Sequence, residues 1–214
     1  MKNIAVILSG CGVKDGSEIH EATLLLLAID KLGAKYTIFA PNKPFKAVNH
    51  CTNGEEESRN VLTEAARIAR GNIYDLSSFD AKNFDAIILP GGFGAAKNLS
   101  DYAFNGAKMT TDHDVNRAII NMHSMHKPIG ALCIAPVVVA NVLKNGVKVT
   151  IGNDSSTIKD IEAMGATHEL AGATDVVVDT EKNVHTTPCY MLASKISEVY
   201  DGIEKLVKSV LNSL

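Results

Sequence analysis

Residues 128–136, PIGALCIAP, join one short apolar run to a second, VVVANVLKNG, and place Cys133 at the junction. The first run is typical of a buried strand and the second of a helix. Gly130, Ala131 and Ala135 keep the surroundings of the thiol small, as a sharp strand-to-helix turn that presents a nucleophile requires. Backbone N–H groups at the start of the helix would favour the thiolate, which predicts a thiol pKa below the ordinary ~8.5. A buried, inert cysteine fits the same residues.

Two glycine-rich segments, SGCGVKDGSE and LPGGFGAAKN, follow predicted strands. In the first, the third glycine comes one residue too late for a dinucleotide-binding turn, and the next strand ends FAPN without an acidic residue for the ribose. The second lacks the Gly-Lys-Ser/Thr of a phosphate-binding loop. We therefore predict no nucleotide cofactor. Glycines in the second segment favour a tight turn, and they would also let a backbone N–H approach a reacting oxygen closely.

The remaining cysteines and histidines have no spacing that is specific for a metal. The four cysteines lack a Cys-x-x-Cys pair, so we predict free thiols in a reducing compartment and treat Cys11, just after the first strand, as a packed residue. His123 and His126 are three residues apart, which is more typical of a solvated helix face than of a metal site. The sequence predicts no metal centre.

Apolar runs of strand length alternate with amphipathic stretches of helix length. This pattern predicts a mainly parallel sheet covered by helices on both faces, in one domain over residues 1–214, with ligands at the carboxyl ends of the strands. We expect strands at 3–8, 35–40, 84–90 and 128–133, and shorter ones at 148–152, 174–179 and 183–187. We expect helices at 17–33 with Ser17 as N-cap, and at 55–71, 113–127, 135–146 and 190–214.

Composition argues against nucleic-acid and membrane partners. The chain has 214 residues, 46% of them hydrophobic, a net charge of −3 and no long run of Lys or Arg. Its longest apolar helical stretch, ATLLLLAI, is far shorter than the ~20 residues of a membrane span. The opening MKNIAVILSG is typical of a first strand and not of a signal peptide, so we predict a cytoplasmic protein.

The segments ILPGGFGAAKNLS and PIGALCIAP resemble the PfpI superfamily, the class I glutamine amidotransferase-like proteins. The opening ILSGCGVKDGSEIHEA and the late TTPCYMLA are similar to the ElbB group within it, described as enhancing lycopene biosynthesis and as glyoxalase-like. The resemblance spans nearly the whole chain. It implies a flavodoxin-like three-layer α/β sandwich, a cysteine on a nucleophile elbow, no cofactor and a homodimer.

The same resemblance implies a glutamate near the start of the first helix, hydrogen-bonded to the cysteine. GSEIHEA offers Glu18 and Glu21. Counting back from the end of the helix favours Glu21, whereas counting forward from the strand favours Glu18, and we prefer Glu21 while keeping both. Either carboxylate could instead only complement the positive N-terminus of the helix. The resemblance also implies an oxyanion site formed by the backbone N–H groups of Gly92 and of the elbow at Ile134.

Histidine partners for the thiol are not evident. Relatives with a histidine directly after the cysteine differ from this chain, which has Ile134 there. His168 and His185 lie downstream, but no glutamate stands two residues after His185 as in the amidotransferases. Glutamine hydrolysis and proteolysis are therefore not predicted.

Taken with the resemblance, these residues predict a cofactor-independent glyoxalase-like enzyme. Cys133 would attack the aldehyde carbon of glyoxal or a related small dicarbonyl, and a glutamate would move a proton between the two carbons to yield the hydroxy acid. The alternative is a weakly active or non-catalytic protein of the same fold that senses oxidation through Cys133 or binds a partner.

Overall fold

In the computed structural model, which describes residues 1–214, a seven-stranded sheet lies between two layers of helices. The chain has eleven strands, of which seven form this sheet. In chain order the strands are β1 (Asn3–Ile7), β2 (Lys35–Ala40), β3 (Pro44–Val48), β4 (Glu55–Asn60), β5 (Tyr74–Asp75), β6 (Ala86–Leu89), β7 (Ile129–Leu132), β8 (Lys148–Val149), β9 (Thr167–His168), β10 (Val177–Asp179) and β11 (Val184–Thr187). The pairs β3-β4 and β8-β9 form two small sheets of their own. The helices are α1 (Ile19–Lys31), α2 (Val61–Ile68), α3 (Phe93–Lys97), α4 (Tyr102–Asn105), α5 (His113–Ser124), α6 (Pro136–Leu143), α7 (Ser155–Ala163) and α8 (Ile196–Asn212).

The sheet has the strand order β10-β11-β7-β6-β1-β2-β5. All neighbouring strands are parallel except β10, which pairs antiparallel with β11 at one edge. This arrangement confirms the predicted flavodoxin-like, mainly parallel sandwich. From β1 the chain moves outward to β2 and β5 and then returns to β6 on the other side of β1. Ligands of such sheets bind where the order reverses, at the carboxyl ends of the strands.

Each face of the sheet packs on its own set of helices. Along β1, Ala5 and Ile7 belong to the buried cluster under α5 and α6, whereas Ile4 and Val6 belong to the cluster under α1 and α8. Because both faces are covered, the central strands β1, β6 and β7 are nearly continuous apolar runs without polar alternation. No helix of the chain is long and apolar enough to cross a membrane.

The predicted helix at 55–71 is wrong in its first third. Residues 55–60 form β4, which pairs antiparallel with β3, and α2 begins only at Val61. The Asn60 side chain accepts a hydrogen bond from the N–H of Thr63 (3.1 Å) and so caps the helix. Glutamates favour a helix locally, but pairing with Pro44–Val48 decides the conformation of this segment.

The other differences lie at helix ends, in short helices and in short strands. Strands β3, β5 and β9 were not predicted, and the strand expected at 148–152 is limited to β8. The last helix begins at Ile196 and not at 190, because the Glu198 carboxylate accepts from the N–H groups of Ser194 (2.9 Å) and Lys195 (3.2 Å) and fixes the start there. Helix α7 was not predicted. Its first turn, Ser-Ser-Thr, has weak helix propensity, and the Asp154 side chain caps it by accepting from Thr157 (2.8 Å).

Candidate active site around Cys133

Cys133 lies at a sharp turn between β7 and α6. Its φ is 57°, a left-handed conformation that is strained for a residue with a side chain. The turn is held by hydrogen bonds from the N–H of Cys133 to Thr187 O on β11 (3.0 Å) and from Ala135 to Leu132 O (2.9 Å). Pro136 then begins α6. The backbone therefore has the geometry of a nucleophile elbow, although the residue is only 7% exposed.

Glu21, on α1, is the carboxyl that meets the thiol. It is fully buried, and its Oε2 and Oε1 accept hydrogen bonds from the N–H groups of Gly91 (3.1 Å) and Tyr190 (3.2 Å). A Cβ placed on Gly91 would lie 2.6 Å from Glu21 Oε2, 3.0 Å from Cys133 Sγ and 2.4 Å from Cys133 Cβ. The thiol and the carboxyl thus converge on Gly91, where no side chain fits.

Glu18 has a different position. It is the N-cap of α1, and its Oε2 accepts from the N–H of Glu21 (2.7 Å), so the prediction of Ser17 as N-cap is wrong. The Ser17 hydroxyl instead accepts from the N–H of Ser9 (2.8 Å) at the end of the first strand. The Glu18 side chain lines the cleft beside Cys133, whereas Glu21 lies beneath the sulfur. Sequence counting could not separate the two because both fall in the first turn of the helix.

Burial is the main cause of the shifted pKa values of Glu21 and Cys133. It raises the pKa of Glu21 to about 8; the nearby Glu18 carboxyl also raises it, and hydrogen bonds from Tyr190 and Gly91 oppose the shift. Burial also raises the pKa of the Cys133 thiol, and the negative charge of an ionised Glu21 raises it further. The hydrogen bond from the Gly92 N–H lowers the thiol pKa and so opposes this shift. The prediction of a lowered thiol pKa is therefore wrong, since desolvation outweighs the helix N-terminus. At neutral pH the carboxyl holds a proton next to the sulfur.

Two backbone donors face this region. The N–H groups of Gly92 and Ile134 donate to no oxygen or nitrogen of the protein, unlike those of the neighbouring Gly91 and Ala135. Gly92 has a φ of 94°, and a Cβ there would lie 2.4 Å from the N atom of Glu18. Only glycine allows this loop to approach so closely, and the approach leaves two donors beside the sulfur.

The glycine loop after β6 is tied to the loop after β1. Hydrogen bonds run from Phe93 N to Val13 O (2.7 Å) and from Gly94 N to Gly16 O (2.9 Å). The Asn98 side chain donates from Nδ2 to the carbonyl oxygens of Ser9 (2.8 Å) and Asp15 (2.7 Å). Gly91 and Asn98 were not singled out from the sequence. Their contribution comes from close approach and from buried hydrogen bonds, which no local pattern encodes.

A cleft of about 310 Å³ opens above Cys133. Nine of its twelve lining residues are hydrophobic, and no Lys, Arg or His lines it. The Tyr190 hydroxyl, on one wall, is 2.8 Å from His20 Nδ1, which fixes the ring. The aliphatic and phenyl groups of the lining come from five separate segments of the chain: Val13, Phe93, Ala96, Ala103, Ile134 and Met191.

The histidines considered from the sequence make other contacts. His185 lies within β11, with Nδ1 2.8 Å from Ser209 Oγ and Nε2 2.9 Å from Asn183 Oδ1, and burial lowers its pKa to about 4. His168 Nε2 accepts from the N–H of Ile151 (3.1 Å). Neither imidazole lines the cleft. No group of three or more His, Cys, Asp or Glu side chains is arranged to hold a metal ion.

Comparison with known proteins shows the family to which the chain belongs. No protein-family model matches the sequence. The rat "ES1 protein homolog, mitochondrial" and the human "Glutamine amidotransferase-like class 1 domain-containing protein 3, mitochondrial" are each 46% identical over 220 residues, covering 97% of this chain and 82% of theirs. Their names state a mitochondrial location for those two proteins.

Among solved structures, an isoprenoid biosynthesis protein with an amidotransferase-like domain from Ehrlichia chaffeensis is 39% identical, with a TM-score of 0.93 over 100% of this chain and 99% of that one. Drosophila melanogaster DJ-1beta, at 19% identity and a TM-score of 0.56 over 99% and 95% of the two chains, shares the fold alone. The resemblance to the class I glutamine amidotransferase-like proteins is thereby confirmed, and this chain belongs to that family.

Proposed function

We propose that the protein is a cofactor-independent glyoxalase-like enzyme that converts glyoxal or a related small dicarbonyl into the hydroxy acid, with Cys133 as nucleophile. The observation that carries the proposal is the convergence of Cys133 and the fully buried Glu21 on Gly91. The N–H of Gly92, which contacts the Cys133 sulfur, and the N–H of Ile134, which has no backbone acceptor, supply donors for an oxyanion at the same point.

The reactive form is the one in which Glu21 is ionised, and its population grows as the pH approaches about 8. In the first step the thiol sulfur bonds to the aldehyde carbon while this carboxylate takes the thiol proton. The carbonyl oxygen gains the electron pair and accepts hydrogen bonds from Gly92 and Ile134. That oxygen then receives the proton back from Glu21, which gives a hemithioacetal. Because the thiol pKa is raised, a base next to the sulfur is needed for attack at neutral pH.

In the second step Glu21 removes the C–H proton of the hemithioacetal carbon and returns it to the adjacent carbon through an enediolate. The hydroxyl proton moves to the second oxygen, so the product is the thioester of the hydroxy acid. Water hydrolyses the thioester and regenerates the Cys133 thiol. A pKa of about 8 for Glu21 suits a group that must both accept and return a proton near neutral pH.

The oxidation-sensor alternative has less support. Peroxide reacts with thiolates, whereas burial disfavours the thiolate of Cys133, and an ionised Glu21 disfavours it further. An amidase also has less support, because no imidazole lines the cleft and no cation is there for the carboxylate of free glutamine.

The experiment is a glycolate assay with glyoxal as substrate. We expect Cys133→Ser to abolish turnover and Glu21→Gln to lower kcat about 10²–10⁴-fold, as loss of a positioned acid–base does. Cys51→Ser, at an exposed position, is the matched control and should keep wild-type activity. The wild-type rate should rise with pH up to about 8 as the Glu21 carboxyl ionises. Turnover that survives in Cys133→Ser would refute the proposal.

We also propose that the protein is a cytoplasmic homodimer formed by one domain over residues 1–214, with no nucleic-acid or membrane partner. Light scattering after gel filtration tests the dimer. Fractionation of the source cells tests the location, which for the rat and human relatives is given as mitochondrial.

A further inference from the structure

We infer that the cleft selects uncharged α-oxoaldehydes that carry an apolar substituent, in preference to glyoxal itself. The inference rests on the proposed function and names its substrate class. The first observation is the size of the cleft. A cleft of about 310 Å³ holds the volume of roughly ten liquid waters at ~30 Å³ each. Glyoxal, with two carbons and two oxygens, fills only a minor part of that space once its aldehyde carbon reaches Cys133.

The chemistry of the walls indicates what the rest of the space holds. Besides Cys133, the lining includes the apolar side chains of Val13, Phe93, Met191 and the exposed Ala103. Apolar walls with a few polar groups near the reacting atoms are typical of sites that bury an apolar ligand group. A branched alkyl substituent on the second carbonyl carbon would lie against these side chains.

The charges of the cleft exclude the other common class of dicarbonyl. Glu18 is the only carboxyl on its surface, and no Lys, Arg or His lines it. Lys97 does not line the cleft; its ammonium lies 5.4 Å from the centroid of the Phe93 ring and donates to Lys14 O (2.9 Å). An anionic substituent would be desolvated without a counter-charge and would face Glu18, so the site discriminates against it.

The experiment compares kcat/KM for glyoxal, methylglyoxal, 4-methyl-2-oxopentanal and the anionic 4,5-dioxopentanoate. Burying one methylene group increases binding about fourfold. We therefore expect at least a tenfold gain from methylglyoxal to 4-methyl-2-oxopentanal, and a loss of at least tenfold from that compound to 4,5-dioxopentanoate, which is of similar length. A flat series, or glyoxal as the best substrate, would overturn the inference and leave the proposed function intact.

A pair of variants tests the location of the apolar group. Ala103→Phe places a ring in the mouth of the cleft, and it should reduce the ratio of kcat/KM values for 4-methyl-2-oxopentanal and glyoxal to about one. Ala163→Phe makes the same change at an exposed position of another helix, outside the cleft, and should keep the wild-type ratio. An unchanged ratio in Ala103→Phe would overturn the assignment.

A binding readout separates the inference from the reaction. The ketones 4-methyl-2-pentanone and 4-oxopentanoate lack the aldehyde but keep the neutral and anionic substituents. We expect the neutral ketone to slow iodoacetamide alkylation of Cys133 at pH 9 at least fivefold more than the anionic one does. If no dicarbonyl is turned over while this protection is seen, the glyoxalase proposal fails and the selectivity of the cleft stands. Equal protection, or none from either ketone, refutes the selectivity.

Discussion

Glu21→Gln is the substitution that most directly tests whether the Glu21 carboxyl is protonated in the folded protein at neutral pH. Burial raises the pKa of Glu21 from 4.5 to about 8, so at neutral pH the folded protein holds a proton that the unfolded chain has released. A group with a raised folded pKa contributes its full stability below the unfolded pKa. That contribution is lost as the pH rises from about 4.5 through about 8.

The size of the effect follows from the two pKa values. One proton of difference changes the free energy of unfolding by about 1.4 kcal/mol per pH unit. Between pH 5 and pH 8 the wild type should therefore lose about 3–4 kcal/mol through Glu21. Glutamine has nearly the same shape, its carbonyl can still accept from Gly91 or Tyr190, and it does not titrate. The variant should lack this loss and become the more stable protein at pH 8.

The assay is urea unfolding at pH 5, 6, 7 and 8, with the free energy of unfolding obtained by linear extrapolation. Glu18→Gln is the control, because it removes a neighbouring carboxyl that lies at the cleft surface and should leave the slope close to that of the wild type. Parallel pH curves for the wild type and Glu21→Gln would refute the reasoning. They would mean that Glu21 is already ionised at neutral pH, and the expected rise of the rate up to pH 8 would then be absent.

Three further substitutions test how the site is held. Gly91→Ala should cost about 1–3 kcal/mol of stability in urea unfolding and abolish glyoxal turnover, because the added Cβ would lie 2.4 Å from Cys133 Cβ. The control is Gly54→Ala, whose added Cβ would meet only a side-chain oxygen at 3.3 Å and should change stability by less than about 0.5 kcal/mol. His185→Gln should make the protein less sensitive to acid. Because the folded pKa of this histidine is lowered to about 4, the wild type should lose up to about 3 kcal/mol of stability through it as the pH falls from 6.5 to 4, and the variant should not. Equal acid sensitivity of both proteins would contradict this. Asn98→Ala should cost about 2 kcal/mol in the same assay by leaving two buried carbonyl oxygens without their donor, and an unchanged urea midpoint would show that the loop does not depend on them.

The sequence by itself determined the features that depend on neighbours in the chain. Strand β2 occupies 35–40 as predicted, because its apolar run and the following Pro41 are local signals. The turn at Cys133 was evident from small flanking residues between a strand pattern and a helix pattern. Motif resemblance added the superfamily and, through it, the sandwich. For the strand and the turn, the information lies within about ten residues of the feature it describes, whereas the resemblance rests on motifs spread over nearly the whole chain.

The partner of the thiol and the pKa values of the site depend on contacts between segments that are distant in the chain. Glu21 rather than Glu18 meets the thiol because hydrogen bonds to the N–H groups of Gly91 and Tyr190, 70 and 169 residues away, fix its carboxyl beneath Cys133. The raised pKa values follow from burial among segments that are distant in the chain, which no local segment reveals, and so the sign predicted for the thiol was wrong. Local sequence determines where the chain turns. Desolvation and close approach depend on contacts between distant segments, and these determine which groups share a proton.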